Sequence, residues 1–316
     1  MTPLRLIFMG TAELACASLA ALVREPAFEL AAVVTQPDKP RGRDLKLQPS
    51  AVKALALQHG LAVLQPERAR REDFLAQLRE LRPDLIVVAA YGQILPPAIL
   101  ETPRHGCLNV HTSLLPKYRG AAPIQWAILN GDAETGVTIM QMDAGLDTGG
   151  IVTQAVTAIA SDDNAQTLHD RLATLGADLL VKTIPDYVAG KILPLRQPVA
   201  GASYARKITK EDGHLDWSQP AQVLWNRVRG FTPWPSAHTF LPASPKPRLL
   251  KIWRAEVELA LGGSPGAVLR ADRAGLVIAC GQQALRALEV QGEGGRRMSA
   301  ADFLAGHPLP VGLKLS

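Results

Sequence analysis

The 316-residue sequence has few cysteines, few aromatic residues and no long apolar run. Cys16, Cys107 and Cys280 are widely spaced and odd in number, which excludes a disulfide framework and a cysteine-based zinc site. No stretch reaches the roughly 18 unbroken apolar residues of a membrane-spanning helix. Residues Leu4 to Met9 have the pattern of a strand, not of a secretory leader. The sequence therefore predicts a folded cytoplasmic protein with no membrane partner.

The sequence also lacks the motifs of several large enzyme classes. Gly10 is followed by Thr11, Ala12 and Glu13, without the further glycines that let a backbone approach a pyrophosphate. It contains no Gly-Lys-Ser/Thr loop and no histidines at metal-ligand spacing, and its one Gly-x-Ser-x-Gly match, at 262–266, includes Pro265 and lies in a turn-rich stretch instead of a strand-to-helix elbow. We therefore expect no dinucleotide or nucleoside-triphosphate cofactor, no serine nucleophile and no metal.

The excess of positive charge is confined to one end of the chain. Residues 1–205 carry 19 basic and 20 acidic residues, whereas residues 206–316 carry 15 basic and 9 acidic residues. A basic terminal third is typical of proteins that bind a polyanion, although solvated surface charge gives the same count.

Short apolar runs alternate with amphipathic helical segments over the first 111 residues. Alternation of this kind predicts a doubly wound, Rossmann-like α/β domain with a mostly parallel sheet. The predicted strands are 4–9, 30–35, 61–64, 85–90 and 107–111, and the predicted helices are 13–23, 50–59 and 70–81.

The pattern changes after Gly136. Two β-branched runs, 137–142 and 151–159, flank a glycine-rich turn and predict an antiparallel pair, and 164–189 predicts a long helix. We take the basic stretch 204–210 as a linker, with domains of 1–205 and 206–316. Short apolar runs in the second domain predict a small β-barrel of the oligonucleotide-binding (OB-like) type. Its four tryptophans fit either a barrel core or a binding surface.

Asn109 and His111 form the first candidate site. They lie two apart on a predicted strand, so their side chains leave the sheet on the same face near its carboxyl end. Open α/β sheets bind ligands at that end. An amide donor beside a histidine can hold a developing oxyanion and move a proton, although either residue alone is often structural.

A second cluster places Asp143 and Asp147 in a glycine-rich turn. Aspartates in such turns commonly cap their own backbone. If the antiparallel pair lies beside the Asn109 strand, one of these carboxylates would instead face His111 and orient its ring. Both interpretations remain open from the sequence.

The motifs taken together resemble the folate-dependent formyltransferases. The resemblance rests on 109–116 (Asn-Val-His-Thr-Ser-Leu-Leu-Pro) and on Leu-Asp-Thr-Gly at 146–149. Segments at 35–43, 90–92, 119–125 and 136–143 narrow it to the family that acts on methionyl-tRNA. It implies transfer of a formyl group from 10-formyltetrahydrofolate to the α-amino group of methionine on initiator tRNA. It also assigns the catalytic roles to Asn109, His111 and Asp147.

The resemblance also implies two binding regions. Folate binding is assigned to Gln93, Leu95, Ser113, Leu114, Leu115, Pro116 and Asp143. The polar loop 37–48 corresponds to the family's flexible insertion that meets the tRNA acceptor end, although a solvated loop is the alternative. We assign tRNA binding to Arg41, Arg43, Lys46, Arg206, Lys207 and Lys210.

The chain departs from the family pattern at Thr112, where glycine is usual. A β-branched residue next to His111 restricts the backbone and removes no catalytic group. Two other functions remain as alternatives: a formyltransferase or deformylase that acts on a small amine or on water, and a non-catalytic RNA-binding protein. Nothing in the sequence requires more than a monomer.

Overall fold

The computed structural model describes residues 2–41, 46–243, 245–259 and 262–316, and of Arg41 it describes only the backbone. The chain divides into two compact units. The first comprises Met1–Pro123, Glu134–Ala158 and His169–Ala205. The second comprises Ile124–Ala133, Ile159–Leu168 and Arg206–Ser316. Two short segments from the first 205 residues thus belong with the second unit, which a single boundary near residue 206 does not capture.

Strands and helices alternate over most of residues 1–111, and two antiparallel strands and a long helix follow, as the sequence predicts. The strands are β1 (Leu4–Gly10), β2 (Phe28–Val34), β3 (Lys39–Arg41), β4 (Lys46–Gln48), β5 (Val63–Leu64), β6 (Leu85–Ala89), β7 (Cys107–His111), β8 (Arg119–Gly120), β9 (Glu134–Gln141), β10 (Ile151–Ala158) and β11 (Tyr204–Ala205). The helices are α1 (Leu14–Arg24), α2 (Ala51–Gln58), α3 (Glu72–Glu80), α4 (Pro97–Leu100), α5 (Pro123–Leu129) and α6 (Ala165–Val188). Throughout the described part of the chain, no helix combines the length and apolar character needed to cross a membrane.

Seven strands form the main sheet in the order β10-β9-β7-β6-β1-β2-β5. The five strands from β7 to β5 are parallel, and β9 and β10 extend the sheet antiparallel at one edge. Strands β6 and β7 are buried along their whole length, which explains their nearly continuous apolar sequences. The predicted Rossmann-like sheet with an appended antiparallel pair is confirmed.

The start of α2 has a side-chain cap. The Ser50 hydroxyl accepts a hydrogen bond from the Lys53 backbone N–H at 3.0 Å, so Ser50 is the N-cap of α2, as predicted.

In α6, Gly176 faces Val110 and Val137, and a Cβ there would lie 2.9 Å from the Val110 side chain. This close approach lets the helix pack directly on the strand that carries the candidate site.

The second unit contains an antiparallel sheet. Its elements in residues 206–316 are α7 (Ala221–Gly230), β12 (Ala237–Leu241), β13 (Arg248–Glu258), β14 (Val268–Asp272), β15 (Gly275–Ala279), β16 (Ala284–Gly292), β17 (Met298–Ser299) and α8 (Ala300–Gly306). The strand order is β12-β13-β16-β15-β14, and β17 pairs with β16.

The C-terminal segment joins the two edge strands of that sheet. Backbone bonds link Leu315 to Gly266 and Leu313 to Val268 on one side, and Ser316 to Phe240 on the other. The C-terminal residues therefore lie between β14 and β12, and the closed barrel stays a prediction. Trp217 is buried in its core, whereas the side chain of Trp234 is largely exposed.

Candidate active site

Asn109 and His111 lie at the end of β7 and are both almost fully buried. Asn109 is 9% exposed and His111 is 6% exposed. Within the described residues the Asn109 side chain has no hydrogen-bond partner. Its amide atoms are not among the fully buried side-chain atoms that lack a partner, so they keep contact with solvent and are accessible to a ligand. A substrate oxygen would provide the missing partner.

The His111 ring is held by a backbone group. Its Nε2 lies 2.9 Å from the carbonyl oxygen of Tyr118. Because a carbonyl can only accept, Nε2 carries a proton in this arrangement. The other nitrogen, Nδ1, lies 3.8 Å from Oδ2 of Asp147. Tyr118 therefore orients the ring, and Asp147 places a negative charge beside Nδ1.

Asp147 and Asp143 have different roles in the turn between β9 and β10. The Asp143 carboxylate accepts hydrogen bonds from the Gly145 N–H at 3.0 Å and from the Thr148 hydroxyl at 2.7 Å, so it caps its own turn. Asp147 instead accepts a bond from the Gly120 N–H at 2.8 Å and faces His111. Of the two interpretations of this cluster, backbone capping therefore applies to Asp143, and the interpretation that a carboxylate faces His111 applies to Asp147.

Cys107 shares the face of β7 that carries Asn109 and His111. It is buried in the apolar cluster formed with residues of β1, β6 and α3. Burial raises the pKa of its thiol to about 12. A thiolate is therefore not available at neutral pH, and Cys107 does not supply a nucleophile.

Most of the predicted folate residues hold the loops around the site in place through hydrogen bonds, and do not present free side chains to a ligand. Ser113 is fully buried, and its hydroxyl donates to the Lys117 carbonyl at 2.6 Å. The Leu115 N–H donates to the Thr138 hydroxyl at 3.1 Å. The Gln93 side-chain oxygen accepts from the Ala69 N–H at 2.9 Å. The remaining predicted folate residues have inward or partly buried positions: Leu95, Leu114 and Pro116.

Two residues that the sequence interpretation missed present apolar surface on the same loops. Ile94, between Gln93 and Leu95, is 84% exposed, and Leu146, next to Asp147, is 55% exposed. The sequence does contain a signal for these two residues. Each is aliphatic and lies in a loop, where no strand or helix periodicity would bury its side chain.

The predicted tRNA-binding loop is anchored at its base. The Asp38 carboxylate accepts bonds from the Lys53 ammonium at 2.8 Å and from the Gln65 amide at 2.8 Å. These donors lower the pKa of Asp38, so its carboxylate is charged at neutral pH. Lys46 in β4 is exposed. Arg43 and the side chain of Arg41 lie outside the described residues.

The three basic residues predicted to bind tRNA in the second unit differ in availability. The Arg206 guanidinium pairs with the Asp212 carboxylate at 2.5 Å and lies over the Trp126 ring at 5.2 Å. Lys207 and Lys210 are exposed. No group of three or more histidine, cysteine or acidic side chains suited to a metal occurs in the residues that the structure covers.

Comparison with known proteins identifies the family of the chain. Two family models match the chain: formyl transferase over residues 4–184, and formyl transferase, C-terminal domain, over residues 207–308. The methionyl-tRNA formyltransferase of Caldanaerobacter subterraneus is 52% identical over 311 residues, which is 98% of this chain and 99% of that protein. The enzyme of the same name from Geobacter metallireducens is 49% identical over 315 residues, covering 100% of this chain and 99% of its own.

A solved structure supports the fold alone. An N-formyltransferase from Helicobacter canadensis, crystallised with folinic acid and dTDP-3-aminofucose, superposes with a TM-score of 0.65 at 21% identity. The match covers 90% of this chain and 99% of that chain. The motif-based resemblance is thus confirmed for the whole length of the sequence.

Proposed function

The chain belongs to the formyl transferase family, and we propose that it transfers the formyl group of 10-formyltetrahydrofolate to the α-amino group of methionyl initiator tRNA. The product, formylmethionyl-tRNA, serves translation initiation. The observation that carries the proposal is the ligand-accessible amide of Asn109 on the same strand as a histidine whose Nδ1 faces a carboxylate. That arrangement suits acyl transfer, in which negative charge develops on an oxygen.

Asn109 donates a hydrogen bond to this developing oxygen. Among the described residues its amide has no partner, and its backbone belongs to a strand that pairs on both sides. It therefore needs no reorganisation when the charge forms. One such preorganised donor typically stabilises the transition state by about 3 to 4 kcal/mol.

His111 acts through Nδ1, because Nε2 is engaged by Tyr118. A protonated Nδ1 can donate to the same oxygen or pass its proton toward the departing folate nitrogen. Oδ2 of Asp147 lies 3.8 Å from Nδ1 and places a carboxylate beside the ring. The carboxylate is held in place by the Gly120 N–H, so its charge stays fixed near the imidazole.

10-Formyltetrahydrofolate supplies an activated formyl group and a nitrogen leaving group. We propose that Ile94 and Leu146 contact its flat pterin ring, while the backbone of 93–95 and of the turn 143–146 offers hydrogen-bonding edges. The side chains of Ser113 and Gln93 serve a different purpose, since they hold these loops in shape.

The tRNA substrate accounts for the distribution of charge. Residues 206–316 carry six more basic than acidic residues, and Lys207 and Lys210 are exposed there. The loop 37–48 adds basic residues within an otherwise neutral region. We propose that both bind phosphates of the acceptor arm. We also propose that the enzyme acts as a monomer in the cytoplasm, where it meets its tRNA.

A direct assay tests this function. The protein is incubated with formyl-labelled 10-formyltetrahydrofolate and with either initiator or elongator methionyl-tRNA. We expect base-labile label on the initiator tRNA and much less on the elongator. Free methionine, a nucleotide-linked amino sugar and water are the competing acceptors. Label on one of these, with none on tRNA, would replace the proposed substrate, and no turnover with any acceptor would favour a non-catalytic RNA-binding protein.

A further inference from the structure

The segment between α6 and the second unit is hydrogen-bonded to two parts of the candidate active site. These are the stretch around β8 and the turn between β9 and β10. Its β11 pairs in parallel with β8, and the Ser203 hydroxyl accepts from the Tyr118 N–H at 2.9 Å. At the other end, Leu195 and Ile151 exchange two backbone bonds of 2.7 and 2.8 Å. We call residues 195–205 the strap. The linker expected from Tyr204 onward is therefore wrong for Tyr204 and Ala205, which form β11.

Gln197 lies at the centre of the strap and is 5% exposed. Its side-chain oxygen accepts two bonds from the Arg119 guanidinium, at 3.0 and 2.7 Å. Its nitrogen donates to the carbonyls of Asp147 and Gly149, both at 2.8 Å. A primary amide has two N–H donors and one oxygen with two lone pairs. Every hydrogen-bonding position of Gln197 is thus used.

These bonds act on the backbone of the residue that faces His111. Asp147 has a φ of 52°, a left-handed conformation that few non-glycine residues adopt. Such a conformation persists when surrounding contacts determine it. Gln197 holds the carbonyl of Asp147 itself and that of Gly149, and Gly120 holds the carboxylate. Gly120 in turn belongs to β8, which the strap also pairs with.

We propose that Gln197, supported by Arg119, is a positioning residue that fixes the Asp147 carboxylate relative to His111 during formyl transfer. The inference rests on the proposed function. Gln197 lies between the two stretches that the family models match, which end at residue 184 and begin again at residue 207. It contacts no reacting atom and acts only through the turn that carries Asp147.

Gln197→Met tests this role because it keeps the side-chain length and removes all four hydrogen bonds. We expect kcat to fall about 100-fold, the loss typical of a misplacement of about 1 Å. KM for each substrate should stay within threefold. Gln197→Glu should behave alike, since it still accepts from Arg119 but cannot donate to the turn. Val199→Ala is the exposed control on the strap, and Thr183→Val removes a buried hydroxyl elsewhere in the first unit.

The ¹⁵N resonances of the His111 ring give a readout that needs no substrate. They are assigned by their absence from His111→Asn. We expect them to shift in Gln197→Met and to stay unchanged in Val199→Ala and Thr183→Val. A kcat within threefold of the parent, an equal loss in Thr183→Val, or unchanged His111 resonances would overturn the proposal. If the parent protein forms no formylmethionyl-tRNA, the resonances alone decide the positioning role.

Discussion

The imidazole Nε2 of His111 lies 2.9 Å from the carbonyl oxygen of Tyr118, seven residues further along the chain. This contact assigns the two ring nitrogens to different tasks, since the one that meets a carbonyl must carry hydrogen. Only Nδ1 is left to exchange a proton with a substrate. Asp147 faces that nitrogen at 3.8 Å.

The tautomer of the neutral His111 ring follows from this contact. We expect the neutral ring to carry its proton on Nε2, because the Tyr118 carbonyl is its nearest partner. Two-bond ¹H–¹⁵N correlation spectra distinguish the tautomers, and His111→Asn identifies the signals. A ring protonated on Nδ1 would contradict the assignment of Nδ1 as the nitrogen that accepts a proton.

Replacing Asn109 should separate activity from stability. In Asn109→Ala we expect kcat to fall by about 10² to 10³, the loss typical of one oxyanion donor, with tRNA affinity unchanged. The free energy of unfolding should stay nearly the same, because the amide has no partner among the described residues and keeps contact with solvent. Urea titrations measure the second effect.

The Asn109 prediction has a clear contrary result. A fall in the free energy of unfolding of more than about 1 kcal/mol, the size of an ordinary hydrogen bond, would mean that the amide supports the fold. Ser113→Ala provides the matched comparison, since that hydroxyl donates to Lys117 at 2.6 Å and its removal should destabilise the loop.

His111 and Asp147 should behave as one unit in a double-mutant cycle. Asp147→Asn keeps an acceptor for the Gly120 N–H but removes the charge beside Nδ1. We expect each single variant to lower kcat strongly, and His111→Ala with Asp147→Asn to be scarcely worse than His111→Ala alone. Multiplicative losses would show that Asp147 acts independently of the ring, for example through the folate.

The sequence predicts the scaffold well because the scaffold depends on local patterns. The buried runs at Leu85–Ala89 and Cys107–His111 and the N-cap Ser50 all follow from periodicity and short-range chemistry. The contacts that complete the site span longer separations. Gln197 is 50 residues from Asp147 in the chain, and no periodicity connects an amide to a distant carbonyl.

Loop side chains show the same limit. Motif matching points to Gln93 and Ser113, but their polar atoms turn inward to satisfy backbone groups of Ala69 and Lys117. A buried loop must pair its own polar groups, and that requirement competes with ligand binding. Which side chains remain free is decided by the folded loop, and here the exposed neighbour is Ile94.

The exposed aliphatic residues Ile94 and Leu146 should contribute to folate binding. In Ile94→Ala and Leu146→Ala we expect KM for 10-formyltetrahydrofolate to rise about tenfold, since removing methyl and methylene groups that cover the ring costs roughly 1 to 2 kcal/mol. KM for tRNA should not change. Leu57→Ala, at an exposed position of α2, is the control. A KM equal to that of the control would show that neither residue contributes to folate binding.

Salt dependence tests the role of the loop 37–48. Removing one side chain that binds a phosphate should make the slope of log K for tRNA against log salt shallower by about 0.7 to 0.9. We expect this change in Arg43→Ala and in Lys46→Ala, because Lys46 is exposed beside the segment that contains Arg43. Arg104→Ala is the matched control: it is exposed just before the amino end of β7, whereas His111 ends that strand. Equal slopes in all three variants would assign the loop to solvent-exposed charge, whereas a shallower slope with kcat unchanged would place it in tRNA binding and outside the chemical step.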